Sequence, residues 1–262
     1  MELIELLKDS LKLLRTKPKV FIPKFVTTAL YTICILALMK ITLELNELAT
    51  GFMFAERAAI IQLAGLTLLT LIFLVFIYFI DLLTYAMYPS IVSDYHNKKK
   101  ISLRNALREA LGSWLVLIVL GITISVMAVF IIIPFGIFMT LVWENLYLML
   151  FLLLLTLAII LVFAMLVFFV IPVAVIEKGG FTRTFRDSFK LSFKHRWSVL
   201  GINLVFLFLT LLTLAIGMLS GFQGSAGYLA IALFVLVRFV QAMVYTYISV
   251  VNPYFFIKIK TH

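Results

Sequence analysis

The sequence predicts an all-α integral membrane protein. Its six transmembrane helices form three parallel repeats, each an amphipathic interfacial helix followed by a transmembrane hairpin, in a pseudo-threefold bundle. Three observations lead there. Of the 262 residues, 64% are hydrophobic and only 13% charged, whereas soluble domains run at roughly 45–50% apolar and about a quarter charged. Six apolar stretches each reach the length of about 20 residues that crosses a hydrocarbon core. Prolines then recur at Pro89, Pro172 and Pro253, at intervals of 83 and 81 residues, the signature of an internal repeat. The chain reads as one transmembrane domain, 1–262, with units at 1–92, 93–176 and 177–262.

The first unit opens on an amphipathic helix. Leu3, Leu7, Leu11 and Leu14 make a greasy stripe, with Glu2, Glu5 and Asp9 early and Lys12 and Arg15 late, the order a helix dipole favours. The acids among these leucines, and the lack of a small-residue cleavage pattern after them, argue against a signal peptide. Val20–Leu43 and Ala58–Val92 follow as a span out and a span back.

In the second unit Ser102 is placed to cap a helix carrying Leu103, Leu107, Ala110, Leu111 and Trp114. Trp114–Val142 and Leu146–Ile176 are its spans, the first expected to kink at Pro134. In the third unit Phe181, Phe185, Phe189 and Phe193 recur every four residues, and Arg183, Arg186, Lys190 and Lys194 fill the other faces. Trp197–Leu219 and Tyr228–Ile257 complete it, with Gly217, Gly221, Gly224 and Gly227 expected to form a mobile outer loop.

Backbone in lipid must satisfy its own hydrogen bonds, and uninterrupted Leu, Ile, Phe and Val runs do not alternate as barrel strands do, so each span is helical. Local matches tie the units together. Asp9-Ser10-Leu11-Lys12-Leu13 reappears as Asp187-Ser188-Phe189-Lys190-Leu191, and Ala106-Leu107-Arg108 aligns with Ser188-Phe189-Lys190. Two spans return each unit to the side it left, so all three share one orientation, unlike inverted transporter repeats. The prolines near the inner ends of the even-numbered spans are expected to end or bend those helices.

Of the 22 Lys and Arg residues, 19 fall on one side; Lys40 and Arg57 lie on the other and Arg238 lies within a span. The positive-inside rule then places both termini in the cytoplasm, in a multipass plasma-membrane protein. The basic helices are expected to lie in the interface and hold anionic lipid headgroups through Lys12, Arg15, Arg104, Arg108, Arg183, Arg186, Lys190 and Lys194. Nucleic-acid binding through Lys98-Lys99-Lys100 is the poorer reading, because topology already explains those charges.

The arrangement of six spans, a proline closing the even-numbered ones and a basic aromatic segment such as Phe181–Trp197 before the fifth resembles a loose group of archaeal and bacterial membrane proteins. That group is related to the membrane domain that precedes the catalytic part of some bacterial glycerophosphoryl diester phosphodiesterases. The likeness covers nearly the whole chain and implies the six-span fold. It hands over no functional residue, and no catalytic domain is expected to follow.

Chemistry is sparse. The single cysteine, Cys34, excludes an intrachain disulfide and paired-thiolate zinc. His96, His195 and His262 lack matched acidic or thiol partners, so no metal is expected, and the absence of HExxH, Walker A, GxSxG or a dinucleotide turn points away from a cofactor and from an enzyme. Six Asn and three Gln are few, which fits a hot-growing source and also a chain rich in spans.

Ionisable groups within spans are functional suspects. Asp81 lies on one helical face with Tyr78, Tyr85 and Tyr88, and Arg238 lies with Gln241 and Tyr245. These seven residues are the candidate intramembrane site, read either as a polar pathway or as an ion pair that fixes the helices. Counting from the span ends puts Asp81 and Arg238 about 12 Å apart in depth at 1.5 Å per residue.

The expected function is transport or translocation of a small solute or lipid-like molecule. The alternative is a non-enzymatic scaffold or accessory subunit, acting as a homo-oligomer or with a partner membrane subunit. A lipid enzyme is disfavoured, since one buried carboxylate supplies no base and nucleophile pair.

Overall fold

The computed structural model describes residues 3–50, 57–219 and 228–261, and every regular element in them is helical. In chain order these are α1 (Leu3–Thr16), a 3-10 turn (Pro18–Phe21), α2 (Ile22–Thr50), α3 (Arg57–His96), α4 (Leu103–Gly112), α5 (Trp114–Leu141), α6 (Leu146–Val167), α7 (Val170–Ile176), α8 (Phe181–Lys194), α9 (Arg196–Leu219) and α10 (Tyr228–Thr261). Six stretches are long and apolar enough to cross a bilayer: Pro18–Glu44, Ala64–His96, Trp114–Leu141, Leu146–Ile176, Arg196–Ile216 and Ile231–Lys260. The chain is therefore built as a polytopic membrane protein. The loop glycines 221, 224 and 227, and His262, lie outside the described residues.

Hairpin partners pack together, α2 on α3, α5 on α6 and α9 on α10. Each outgoing span also meets a returning span from elsewhere in the chain: α2 meets α10, α5 meets α3 and α9 meets α6. The short helices follow the same order, with α1 against α10, α4 against α3, and α8 against α6 and α7. The buried core sits where α3, α7 and α10 converge, in clusters that include Ile91, Val170 and Val250 on one side and Phe169, Phe255 and Phe256 on the other. Towards the opposite end the helices turn their side chains outward, and α6 buries none of its residues.

The helices α4 and α8 dock through small side chains, and α1 docks through Ser10 together with Leu6, Leu13 and Leu14. Ser10 of α1, Ala106 and Ala110 of α4, and Thr184, Ser188 and Ser192 of α8 are buried, whereas Leu11, Leu111 and Phe193 stay exposed on the outer faces. Small residues let backbones approach closely, and the large apolar groups that stay exposed are left for lipid. Of the predicted leucine stripe in α1, only Leu14 is buried. Polar bonds finish the docking. Ser188 Oγ donates to the Leu166 carbonyl at 3.1 Å, Tyr247 OH donates to the Leu7 carbonyl at 3.3 Å, and Ser90 bonds Glu109. Lys258 of α10 reaches Glu5 and Asp9 of α1 at 3.6 and 3.3 Å.

Pro89 and Pro253 do not end their helices, whereas the fourth span is broken just before Pro172. α3 continues past Pro89 to His96, and α10 continues past Pro253 to Thr261. A proline removes one amide and crowds the carbonyl four residues back, but the helix resumes if that carbonyl finds another donor. At Pro172 the freed carbonyl belongs to Phe168, where α6 gives way to α7. Asn252 Nδ2 donates to it at 2.6 Å and to Tyr85 OH at 3.2 Å. One amide thus ties α3, the α6–α7 break and α10 together. What ends α3 is instead a left-handed residue, Lys98 at φ 54°, with Lys178 at φ 50° in the matching place after α7.

Candidate functional site

Beside this junction, α2, α3 and α10 border a cavity of about 300 Å³ into which several polar side chains are set. On α2 the lining residues Lys24, Thr28, Tyr31 and Ile35 are spaced by four, three and four, a single helical face. α3 contributes Asp81 and Tyr85 one turn apart, and α10 contributes Arg238, Gln241, Tyr245 and Ser249. Five of the seven predicted site residues, Asp81, Tyr85, Arg238, Gln241 and Tyr245, therefore come together.

The other two do not. Tyr78 turns to α5, where its hydroxyl lies 2.8 Å from Ser125 Oγ and donates to the Gly121 carbonyl at 3.2 Å. Tyr88 is fully buried and donates to the Val20 carbonyl at 3.2 Å. Spacing alone puts these tyrosines near the Asp81 face, but a helix packed on several neighbours shares that face among them.

Asp81 does pair with a cation, and it is Lys24. Lys24 Nζ donates to Asp81 Oδ1 at 2.8 Å, with side-chain exposures of 8% and 32%, and sits 5.4 Å from the Tyr85 ring centre. Arg238 makes no ion pair among the described residues. Its guanidinium donates to Gln241 Oε1 at 2.9 Å and lies 5.1 Å from the Phe234 ring centre. Gln241 Nε2 in turn reaches the Thr213 carbonyl at 3.5 Å, while Arg238 Nε is buried with no hydrogen-bond partner among the described residues.

Asp81 and Arg238 line one cavity, and beside it Phe25 and Phe239 stack across α2 and α10 with ring centres 4.4 Å apart.

Lys24 and Tyr31 are the residues that sequence reasoning misses. A count of cations per side groups Lys24 with the cytoplasmic ones, yet it lies within the first apolar stretch, where a lysine needs an anion. Tyr31 lies seven residues further along the same face.

On the lipid-facing side of this cavity runs an apolar groove of about 530 Å³ between α2 and α10, with Thr28 and Arg238 common to both spaces. Away from the cavity, all eight predicted headgroup residues, Lys12, Arg15, Arg104, Arg108, Arg183, Arg186, Lys190 and Lys194, are exposed. Arg183 and Arg186 share Asp187 at 3.4 and 3.5 Å. Among the described residues no three His, Cys, Asp or Glu side chains gather closely enough to hold a metal ion. Comparison with protein-family models, with curated proteins and with solved structures found no match.

Proposed function

We propose that this protein is a membrane carrier that moves a small solute or lipid-like molecule across or within the bilayer, through the slot between α2, α3 and α10. The observation that carries this reading is the cavity itself. Polar groups within spans are costly, and here one cavity gathers an ion pair, an arginine without a counter-ion among the described residues, and several hydroxyl-bearing side chains. A purely structural ion pair needs no open volume beside it. The absence of a nucleotide-binding motif leaves an ion gradient or a second subunit as the energy source, if one is used.

The wider scheme is part of the same reading. Three like units around an axis along the membrane normal are supported by the cyclic order of contacts, in which α2 meets α10, α9 meets α6 and α5 meets α3. Cytoplasmic termini and a plasma-membrane location are supported by the clustering of 19 of 22 cations on one side. Kinship with the six-span group named above is likewise inferred, and it brings no catalytic residue with it.

Proteoliposome flux and lipid-scrambling assays test the carrier. Rates above empty vesicles, lost in Asp81→Asn and Arg238→Gln variants that still fold, are expected. Wild-type rates equal to empty vesicles for solutes and lipids alike would reject it. A scaffold role is favoured by one observation, the exposure of the basic residues of α1, α4 and α8 together with Leu11, Leu111 and Phe193. Vesicle association unchanged after neutralising Arg183, Arg186, Lys190 and Lys194 would reject that alternative.

A further inference from the structure

Arg238 stands where two spaces meet. Behind it lies the cavity; in front lies the groove, walled by Val26, Ala29 and Ile33 of α2 and by Val235 and Phe239 of α10. Ile33 is 64% and Phe239 50% exposed, so the groove opens sideways, where lipid chains run.

The charges are not balanced. Lys24 is neutralised by Asp81, whereas among the described residues Arg238 has only the neutral Gln241 oxygen and an aromatic face, and its Nε is buried without an acceptor. A guanidinium within a span is expensive unless it meets an anion. The hydroxyls of Thr28, Tyr31 and Tyr245 line the same cavity and add donors for such an anion.

We infer that the slot binds an anionic phospholipid, its phosphate on Arg238 and the neighbouring hydroxyls and one acyl chain in the groove between α2 and α10. This deepens the carrier reading by naming the class of its cargo, and it rests on that reading only for the movement, not for the binding. Phosphate suits the site better than carboxylate, because a guanidinium and several separate hydroxyls offer more donors than two carboxylate oxygens use well. A lipid suits it better than a free anion, because the space adjoining Arg238 is apolar and faces the bilayer. The cavity of about 300 Å³ favours a compact head.

The full chain, purified in a neutral detergent, is titrated with dioleoyl phosphatidic acid, dioleoyl phosphatidylcholine and inorganic phosphate, and bound molecules are counted by native mass spectrometry. Phosphatidic acid is expected to bind at least about tenfold more tightly than phosphatidylcholine. Arg238→Gln should abolish that preference and Arg238→Lys should keep part of it. Ala29→Phe fills the groove without changing any charge and should weaken phosphatidic acid by about fivefold. It stands on the exposed face of α2, so it decides the matter with Arg238→Lys if Arg238→Gln fails to fold. A phosphatidic acid with a photoreactive acyl chain should cross-link near Ala29 or Val235.

Equal affinity for the two lipids, or a preference that survives Arg238→Gln, overturns the inference. Inorganic phosphate that binds as tightly as phosphatidic acid overturns the lipid assignment. The flux assay separates the two claims. Lipid bound at Arg238 but never moved supports this site and rejects the carrier, whereas wild-type flux together with equal wild-type affinity for the two lipids rejects this site and leaves the carrier standing.

Discussion

Removing the carboxylate of Asp81 should cost more than removing the ammonium of Lys24, because the two ends of the pair differ in exposure. The Lys24 side chain is 8% exposed and that of Asp81 32%. Asp81→Asn therefore strands a cation in a nearly dry site, with only the Tyr85 ring and an amide beside it. Lys24→Met leaves a carboxylate that borders the open cavity beside Thr28, Tyr31 and Tyr245. Breaking a fully buried pair costs roughly 3–5 kcal/mol. Screening at the one-third-exposed partner lowers this to about 2–3 kcal/mol for Asp81→Asn and about 1 kcal/mol for Lys24→Met. The double variant Lys24→Met/Asp81→Leu removes both charges at similar volume and should lose no more than about 1 kcal/mol. The cycle then closes with a coupling of about 2 kcal/mol. Equilibrium unfolding in mixed micelles, followed by far-ultraviolet circular dichroism, measures all four species. Equal losses in the two single variants, with simple addition in the double, would show that the pair is not a unit and would refute the burial argument.

Other outcomes follow from the same structure. Asn252→Leu removes the donor to the carbonyl freed by Pro172 and should cost about 1–3 kcal/mol; adding Pro172→Ala restores a local amide and should recover part of the loss in the same unfolding assay. Ser188→Leu overfills the fully buried contact of α8 with α6 and should cost about 1–3 kcal/mol, whereas Phe193→Ser on the exposed face should change micellar stability by less than about 0.5 kcal/mol yet weaken vesicle association. Lys98→Gly relieves a left-handed lysine and should add about 0.5–1 kcal/mol. His195 lies just outside the fifth span, and burial, reinforced by the neighbouring Lys194 ammonium, holds it below its ordinary 6.5. The unfolded chain therefore takes up a proton first as the pH falls below about 6.5, stability declines from there, and His195→Asn should flatten that decline.

What is legible in the sequence is what period and length control. The spans follow from runs of apolar residues, and their ends agree with the structure to within a few residues for Trp114–Leu141 and Leu146–Ile176. Ser102 does cap α4, accepting from the Asn105 amide at 3.3 Å. Charge at mid-span marks Asp81 and Arg238, and both line the cavity. What fails depends on the third dimension. The alternation of apolar and charged residues along a short helix says that it has two faces, but not that the docking face is the one carrying Ser10, Ala106 and Ser188. Proline reads as a stop because its local cost is known, whereas the remedy, Asn252, stands 84 residues from the carbonyl it serves. Counting cations per side ignores that a lysine one turn inside a span, Lys24, can be spoken for by an aspartate 57 residues away.

The proposed threefold frame also explains why there is one charged slot and not three. Asp81 lies eight residues before Pro89, and the same distance before Pro172 and Pro253 stand Ala164 and Tyr245. Arg238 lies fifteen residues before Pro253, and the counterparts before Pro89 and Pro172 are Leu74 and Leu157. The small docking residues at Ser10, Ala106 and Ser188, which hold the frame, are by contrast alike in all three units. Packing requirements recur with each copy of the hairpin, since every short helix must dock on a returning span. A cargo needs only one place to bind, and each further mid-span charge would cost several kcal/mol without a partner. In this frame the carboxylate and the arginine mark where the units depart from one another, and that departure coincides with the proposed binding site between the first unit and the third.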